Sequence, residues 1–346
     1  KGVEPIAVEP ENEEVAKIQL LAAAFDMPLK PSELGPFELK VVESLASEGL
    51  LRYIRSRGYY RPTAAAREYL RARPGLRGTG EIVRIYDRSG RLLGFREMPM
   101  ALKELFPGAI YLHGGGVYIS LELKGGKAVV ARLPDEYPYL TSALYYSEPV
   151  SFNPEASREV WGCAVEYGRL TVREVVYGYV VRDAESGATI REAMLDREFA
   201  YEFSTKGVLL HLPPNEGWSL MANAEAFHAI EHATISAAQM IVGAAPTDMG
   251  GISYPTGQIF VYDSYPGGAG CSKLLFHRLE DALNRALRIV STCTCEDGCP
   301  KCIYSPYCGN NNKILSRRKA LRVLEALSSG KVARPTPAQI AGRPLA

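Results

Sequence analysis

No apolar run in this 346-residue chain reaches the ~18 residues a membrane-crossing helix needs, so a helical bilayer span is excluded. A secretion signal is missing too. The opening Lys1-Gly-Val-Glu-Pro has neither an initiator Met nor a basic-then-apolar start, so a fragment or trimmed piece of a longer, cytoplasmic chain is expected. Charge of one sign is also absent, with 40 basic residues against 39 acidic, and the overall balance therefore identifies no partner. Neither G-x4-G-K-[ST] nor a DExH box occurs anywhere, which leaves the chain without an ATPase motif. A zinc deaminase is disfavoured as well, because H-x-E is missing and Pro300 lies inside the pair Cys299/Cys302 instead of before it.

What is present describes a folded protein of class α+β. Hydrophobic residues make up 47% and charged residues 23%, the balance of a packed chain, and the length suggests two or three domains. Helical periodicity over 13–25 and 38–49 precedes a stretch that alternates apolar and basic residues around Gly58, as a hairpin does, and helix resumes after Thr63. Short helices followed by a basic hairpin predict a winged-helix domain over 1–76. From 77 to 212, short strand-like runs separated by turns such as Arg88-Ser89-Gly90 and Lys124-Gly125-Gly126 predict a barrel-like or sandwich domain. Cys163 stands alone there and reads as core. A mainly helical domain is expected over 213–330, with helices at 219–243, 272–290 and up to about 327 and a buried strand over Gln258–Asp263. The tail 331–346 reads as disordered.

Five of the seven cysteines fall in one short segment, Cys293, Cys295, Cys299, Cys302 and Cys308. In a reducing compartment such clustering favours a metal over disulfides. Closely spaced thiolates with Gly298 and Pro300 at turns can bring four sulfurs around Zn2+, in a closed and therefore structural site. Four ligands suffice, so one thiol is spare. Cys308 is the furthest from the others and is the expected non-ligand, with an alternative role as a ligand.

Two rival motifs lie upstream. His228-Ala-Ile-Glu231-His232 fits H-x-x-E-H, where two histidines on one helix face would hold zinc and Glu231 would act as general base of a metallopeptidase. The helix around it is apolar, so a satisfied buried His/Glu pair is the plainer alternative. Tyr262-Asp-Ser-Tyr-Pro-Gly267-Gly268-Ala-Gly270 resembles a phosphate cradle of strand, glycine turn and helix start. It matches no nucleotide-binding signature, and tight backbone packing accounts for the glycines equally well.

Positive charge is local. Residues 51–77 hold eight arginines against one acid, Glu68, and a second run, Lys313–Arg322, follows the cysteines. Arg52, Arg55, Arg57 and Arg61, interleaved with Tyr53, Tyr59 and Tyr60, suit a nucleic-acid backbone with aromatic platforms for unpaired bases. Strand alternation would place Arg55 and Arg57 on one face. Arg317 and Arg318 are the candidates in the second run, where a solvated helix face is the alternative.

Three stretches in order, residues 228–251, 259–270 and 293–312, resemble the C-terminal zinc-binding region of superfamily 2 DNA helicases. The group is that of the mitomycin-repair helicases and their archaeal and fungal, partly RecQ-like, relatives. Residues 106–123 and the winged-helix-like start extend the resemblance to about residue 328. It implies a structural Zn2+ on Cys293, Cys295, Cys299 and Cys302, and single-stranded or forked DNA as partner. It also implies that ATP and Mg2+ belong to two RecA-like motor domains preceding this region in an ATP-dependent 3′–5′ repair helicase. No role for His228, Glu231, Asp248 or Asp263 follows from it. The other readings are a metallopeptidase-like enzyme at His228/Glu231/His232 and a protein-interaction platform without DNA contact.

Overall fold

A computed structural model describes residues 11–71 and 80–330. The expectation for the tail 331–346, and Arg73 and Arg77 of the first basic stretch, lie outside the described residues.

The chain begins with α1 (Glu13–Asp26) and α2 (Pro36–Ser47), the strands β1 (Leu51–Ile54) and β2 (Tyr59–Pro62), and α3 (Ala64–Arg71). Asn12 caps α1 by accepting from the Val15 N–H at 3.1 Å, while Pro36 occupies the first turn of α2, where its missing N–H costs nothing. Leu21, Val42, Leu45, Leu51 and Ala66 are buried between these elements and form a separate small core. Two helices, a two-stranded hairpin and a third helix thus follow one another in the order expected of a winged helix.

Next come β3 (Ile82–Asp87), β4 (Leu92–Glu97), α4 (Met100–Glu104), β5 (Ile110–His113), β6 (Gly116–Lys124) and β7 (Lys127–Arg132). They form a sheet of order β4-β3-β7-β6-β5, antiparallel except where β3 and β7 run parallel. Ile85 and Val130 of this sheet are buried in one core with Leu105 and Phe106, which follow α4, and with Val176 of a second sheet.

That second sheet departs from the short strands expected. Its members β8 (Tyr139–Val160), β9 (Cys163–Asp183) and β10 (Thr189–His211) are 22, 21 and 23 residues long. Bulges at Leu144/Tyr145, Pro149/Ser151 and Pro154/Ala156, and again between Met194 and Phe199, interrupt the ladder without ending it. Each bulge bends the strand and increases its twist, so the long ribbon curls into an open half-barrel. Pro149 and Pro154 sit on β8, an edge strand, where a missing N–H is tolerated.

After α5 (Leu220–Val242), the strands β11 (Met249–Ser253) and β12 (Gln258–Asp263) complete the order β11-β12-β10-β9-β8, carrying the sheet across residue 212. α5 is capped by Ser219 and ends on Gly243, whose φ of 71° the left-handed C-terminal turn requires. The helix expected over 272–290 is two, α6 (Cys271–His277) and α7 (Leu279–Thr292), broken at Arg278. α8 (Arg317–Ser328) closes the chain. Phe227, Ile230, Ala233, Leu275, Leu279, Leu283, Val290 and Leu324 pack around α5 as the largest core, and Cys163 is buried in it as expected.

Candidate metal centre and nucleic-acid interface

The cysteine loop runs from the end of α7 to the start of α8. Cys293 and Cys299 have sulfurs 3.5 Å apart, Cys295 and Cys302 3.6 Å, and Cys299 and Cys302 3.7 Å. A disulfide needs about 2.05 Å, whereas sulfurs at tetrahedral corners around zinc, each 2.3 Å from the ion, stand about 3.8 Å apart. The four sulfurs therefore fit a single tetrahedral ion and not a pair of disulfides. Backbone bonds to the Cys299 carbonyl from Cys302, Ile303 and Tyr304 fold the second half of the loop into a tight knuckle. Gly298 belongs to this turn, where a Cβ would come within 2.5 Å of the Tyr304 ring.

Arg317 is placed otherwise than expected. Its guanidinium donates to the carbonyls of Val290 at 2.7 Å and Cys295 at 3.0 Å, bracing the loop against the end of α7. Those bonds turn the charge inward, so Arg317 is a clamp on the loop and not a free contact for a polyanion. Arg318 next to it is exposed. Asp297 binds the Ser316 hydroxyl and the Arg318 N–H at the start of α8, where a negative charge is favoured.

Cys308 points elsewhere. Its sulfur lies 3.7 Å from His228 Nε2, and His228, His232 and Cys308 bring their ligand atoms within 4.8 Å of one another. His228 Nδ1 donates to the Ile314 carbonyl at 2.7 Å and His232 Nδ1 to that of Ile303 at 2.6 Å. Burial opposes the Cys308 thiolate, but hydrogen bonds with both imidazoles outweigh it and bring the thiol down to about 6. Burial likewise opposes the His228 cation, and the bond to Cys308 with the nearby Glu231 charge raises it to about 9. Glu231 is 5% exposed and accepts from the Ser253 hydroxyl at 2.6 Å.

These groups line a cavity of about 1010 Å3 between the helical region and the two larger sheets. The sequence offered one overlooked sign of it: Glu174, an acid inside the apolar run of β9. It is buried and ion-paired with Lys103 at 2.8 Å, whose ammonium also sits 4.2 Å over the Tyr145 ring.

The glycine turn is no phosphate cradle in the structure. The Asp263 carboxylate fills it, accepting from the N–H groups of Ala269 (2.7 Å), Gly270 (2.9 Å) and Ser272 (2.7 Å). Gly267, Gly268 and Gly270 have φ of 81°, 86° and 91°, so the turn needs their left-handed freedom.

In the hairpin, Arg52 faces Arg61 and Tyr53 faces Tyr60 across the ladder, with the tyrosine rings 4.8 Å apart. All four arginines are exposed, and Arg57 donates to the Tyr59 hydroxyl at 3.2 Å. The shared strand face expected of Arg55 and Arg57 does not form. β1 ends at Ile54, whose carbonyl accepts from both Arg57 and Gly58 and closes a turn that carries both arginines at its tip.

Taken together, a four-sulfur site on a helical core, a curled half-barrel and a helix–hairpin unit define a zinc-binding protein of mixed α+β fold. Residues 230–303 match the family described as the MrfA Zn-binding domain, a stretch that contains four of the clustered cysteines and stops short of Cys308. The chain is 38% identical over 111 residues to uncharacterized protein MJ1572.1 of Methanocaldococcus jannaschii, covering 99% of it. It is 25% identical over 362 residues to the ATP-dependent helicase YprA of Bacillus subtilis, with 95% of this chain and 44% of the helicase covered. The DUF1998 helicase MrfA has the same fold at a TM-score of 0.58 and 23% identity, over 92% of this chain and 45% of that one. Its DNA-bound form gives a TM-score of 0.50. The chain carries the MrfA zinc-binding domain and belongs to one family with MJ1572.1, with ATP-dependent helicases among its more distant relatives. It spans less than half the length of the helicases it matches, and it binds a structural zinc ion.

Proposed function

We propose that this chain is the DNA-guiding, non-motor part of an ATP-dependent 3′–5′ DNA helicase acting in repair. In this reading ATP hydrolysis belongs to motor domains elsewhere in the parent polypeptide, and the chain alone hydrolyses none. Its units are the winged helix (1–76), the β-rich part (77–212) and the zinc-bearing helical part (213–330), the last two sharing one sheet. Cys293, Cys295, Cys299 and Cys302 hold the zinc, which ties together a loop that buries little apolar surface of its own. The family membership carries the proposal, and the exposed cations of the first hairpin support it.

Arg52, Arg55, Arg57 and Arg61 follow a DNA backbone, Tyr59 and Tyr53 offer faces to unpaired bases, and Arg318 adds a second contact. The test is a salt titration of binding to single-stranded and forked DNA, wild type against Arg55→Ala/Arg57→Ala. Loss of two phosphate contacts should lower the salt slope by about two and weaken binding on all sequences alike. An unchanged slope would reassign the hairpin to protein contact.

A further inference from the structure

We propose that His228, His232 and Cys308 form a second metal site, taking Zn2+ on two imidazole nitrogens and one thiolate, with the fourth position open to the cavity. It adds to the four-sulfur site and does not depend on DNA binding.

The argument begins with protons. A carbonyl oxygen only accepts, so each Nδ1 held by Ile314 or Ile303 carries hydrogen. In the neutral ring Nε2 then presents a lone pair. The Cys308 sulfur and the two Nε2 atoms thus share one proton, on sulfur or on His228, which can satisfy only one contact, and the thiol has a competing acceptor in Asn310 Oδ1 at 3.0 Å. A cation satisfies all three. Histidines that ligate metals have this same outer arrangement, with the second ring nitrogen donating to a carbonyl that fixes the tautomer.

Geometry agrees. The 3.7 Å between His228 Nε2 and Cys308 Sγ is close to the edge of a tetrahedron with Zn–N of about 2.0 Å and Zn–S of about 2.3 Å. The two rings stand at 75° with centroids 4.5 Å apart, which lets adjacent turns of α5 aim at one point. Cys308 is steadied by the Asn312 N–H at 3.3 Å, while Asn312 has the left-handed φ of 59° that bends the chain there. Three protein ligands facing a cavity is the arrangement of an open zinc site, unlike the closed four-sulfur site. Water or an anionic ligand atom from the cavity would complete it. The fifth cysteine is thereby given a use.

Zinc content of the whole chain, equilibrated with Zn2+ and dialysed, tests this. About two zinc ions per wild-type chain are expected, and about one in Cys308→Ser and in His228→Gln. X-ray absorption of wild type should then show nitrogen as well as sulfur ligands, a readout that holds even where a variant fails to fold. One zinc per chain in an all-sulfur shell would overturn the proposal and leave the four-cysteine site standing. Loss of the nitrogen ligands in Cys308→Ser, with sulfur-bound zinc retained, would support it. A nitrogen-containing shell that persists in Cys299→Ser, where the all-sulfur zinc is lost, would support it too.

Discussion

At the scale of single residues, the decisive feature is how often a charged side chain is turned inward to serve the backbone. Asp263 is the clearest case. Burial pushes its carboxyl up, and three N–H bonds pull against that. Asp263→Asn leaves one oxygen to meet three donors, so at least one buried N–H is orphaned at a cost of about 1–3 kcal/mol. Denaturant unfolding should show a loss of that size, with ligand-free anion binding no stronger than before. Arg317 acts similarly on the metal loop. Arg317→Lys keeps the charge but not a planar fork able to reach both Val290 and Cys295, so it should destabilise nearly as much as Arg317→Ala. A lysine variant of wild-type stability would show that charge alone matters there. Neither role was visible in the sequence. A buried aspartate in a glycine turn looks like part of an anion site, and an arginine in a basic run looks like a surface cation, until distances show what each one holds.

At the scale of elements, the helices and hairpins were the most legible. α5 announces itself by its Ser219 cap, its long apolar stretch and Gly243, and the wing by basic alternation around Gly58. The long strands were not. Pro149, Pro154, Gly168 and Gly178 resemble strand ends, but the ladder passes them by bulging or by close backbone approach. β8 in particular has little buried face over its second half, which removes the period-two signal. The cysteine loop docks on this sheet through the Tyr145 N–H of β8, which donates to the Gly309 carbonyl at 3.0 Å, and Arg182 of β9, which donates to Asn311 at 2.5 Å. A Cβ on Gly309 would stand 2.1 Å from the Tyr145 carbonyl, a backbone atom with no freedom to withdraw. Gly309→Ala should therefore lift the loop from β8 and destabilise by about 1–3 kcal/mol, the range of overpacked sites. Hydrogen exchange at the Tyr145 amide checks this directly. Protection equal to wild type would mean that the loop tolerates the shift.

At the scale of the whole molecule, the metal site and the winged helix are held by different cores. Leu21, Val42 and Leu45 share no core with the cysteine loop, whereas Cys302 and Ile303 are buried in the core built on α5, with Cys293, Cys295 and Cys299 packed against it. The four-cysteine site was legible because thiolate spacing is a local property of the chain. The His228/His232/Cys308 cluster was not, because it joins residues 80 positions apart and only the fold brings them together. This separation predicts how metal removal propagates. Structural zinc contributes an apparent ~10–16 kcal/mol to small zinc-organised units, and stripping it leaves four thiols at contact distance with no ion to hold them. The loop between α7 and α8 should then lose protection first, followed by α8, whose N-terminus rests on Asp297, Ser316 and Arg317. α1, α2 and the hairpin should keep their wild-type exchange rates, since their core receives nothing from the loop. Chelation followed by hydrogen exchange and mass analysis measures both halves at once. Uniform loss of protection over residues 11–71 as well would show that the cores unfold as one cooperative unit, and that the zinc supports the winged helix along with its own loop.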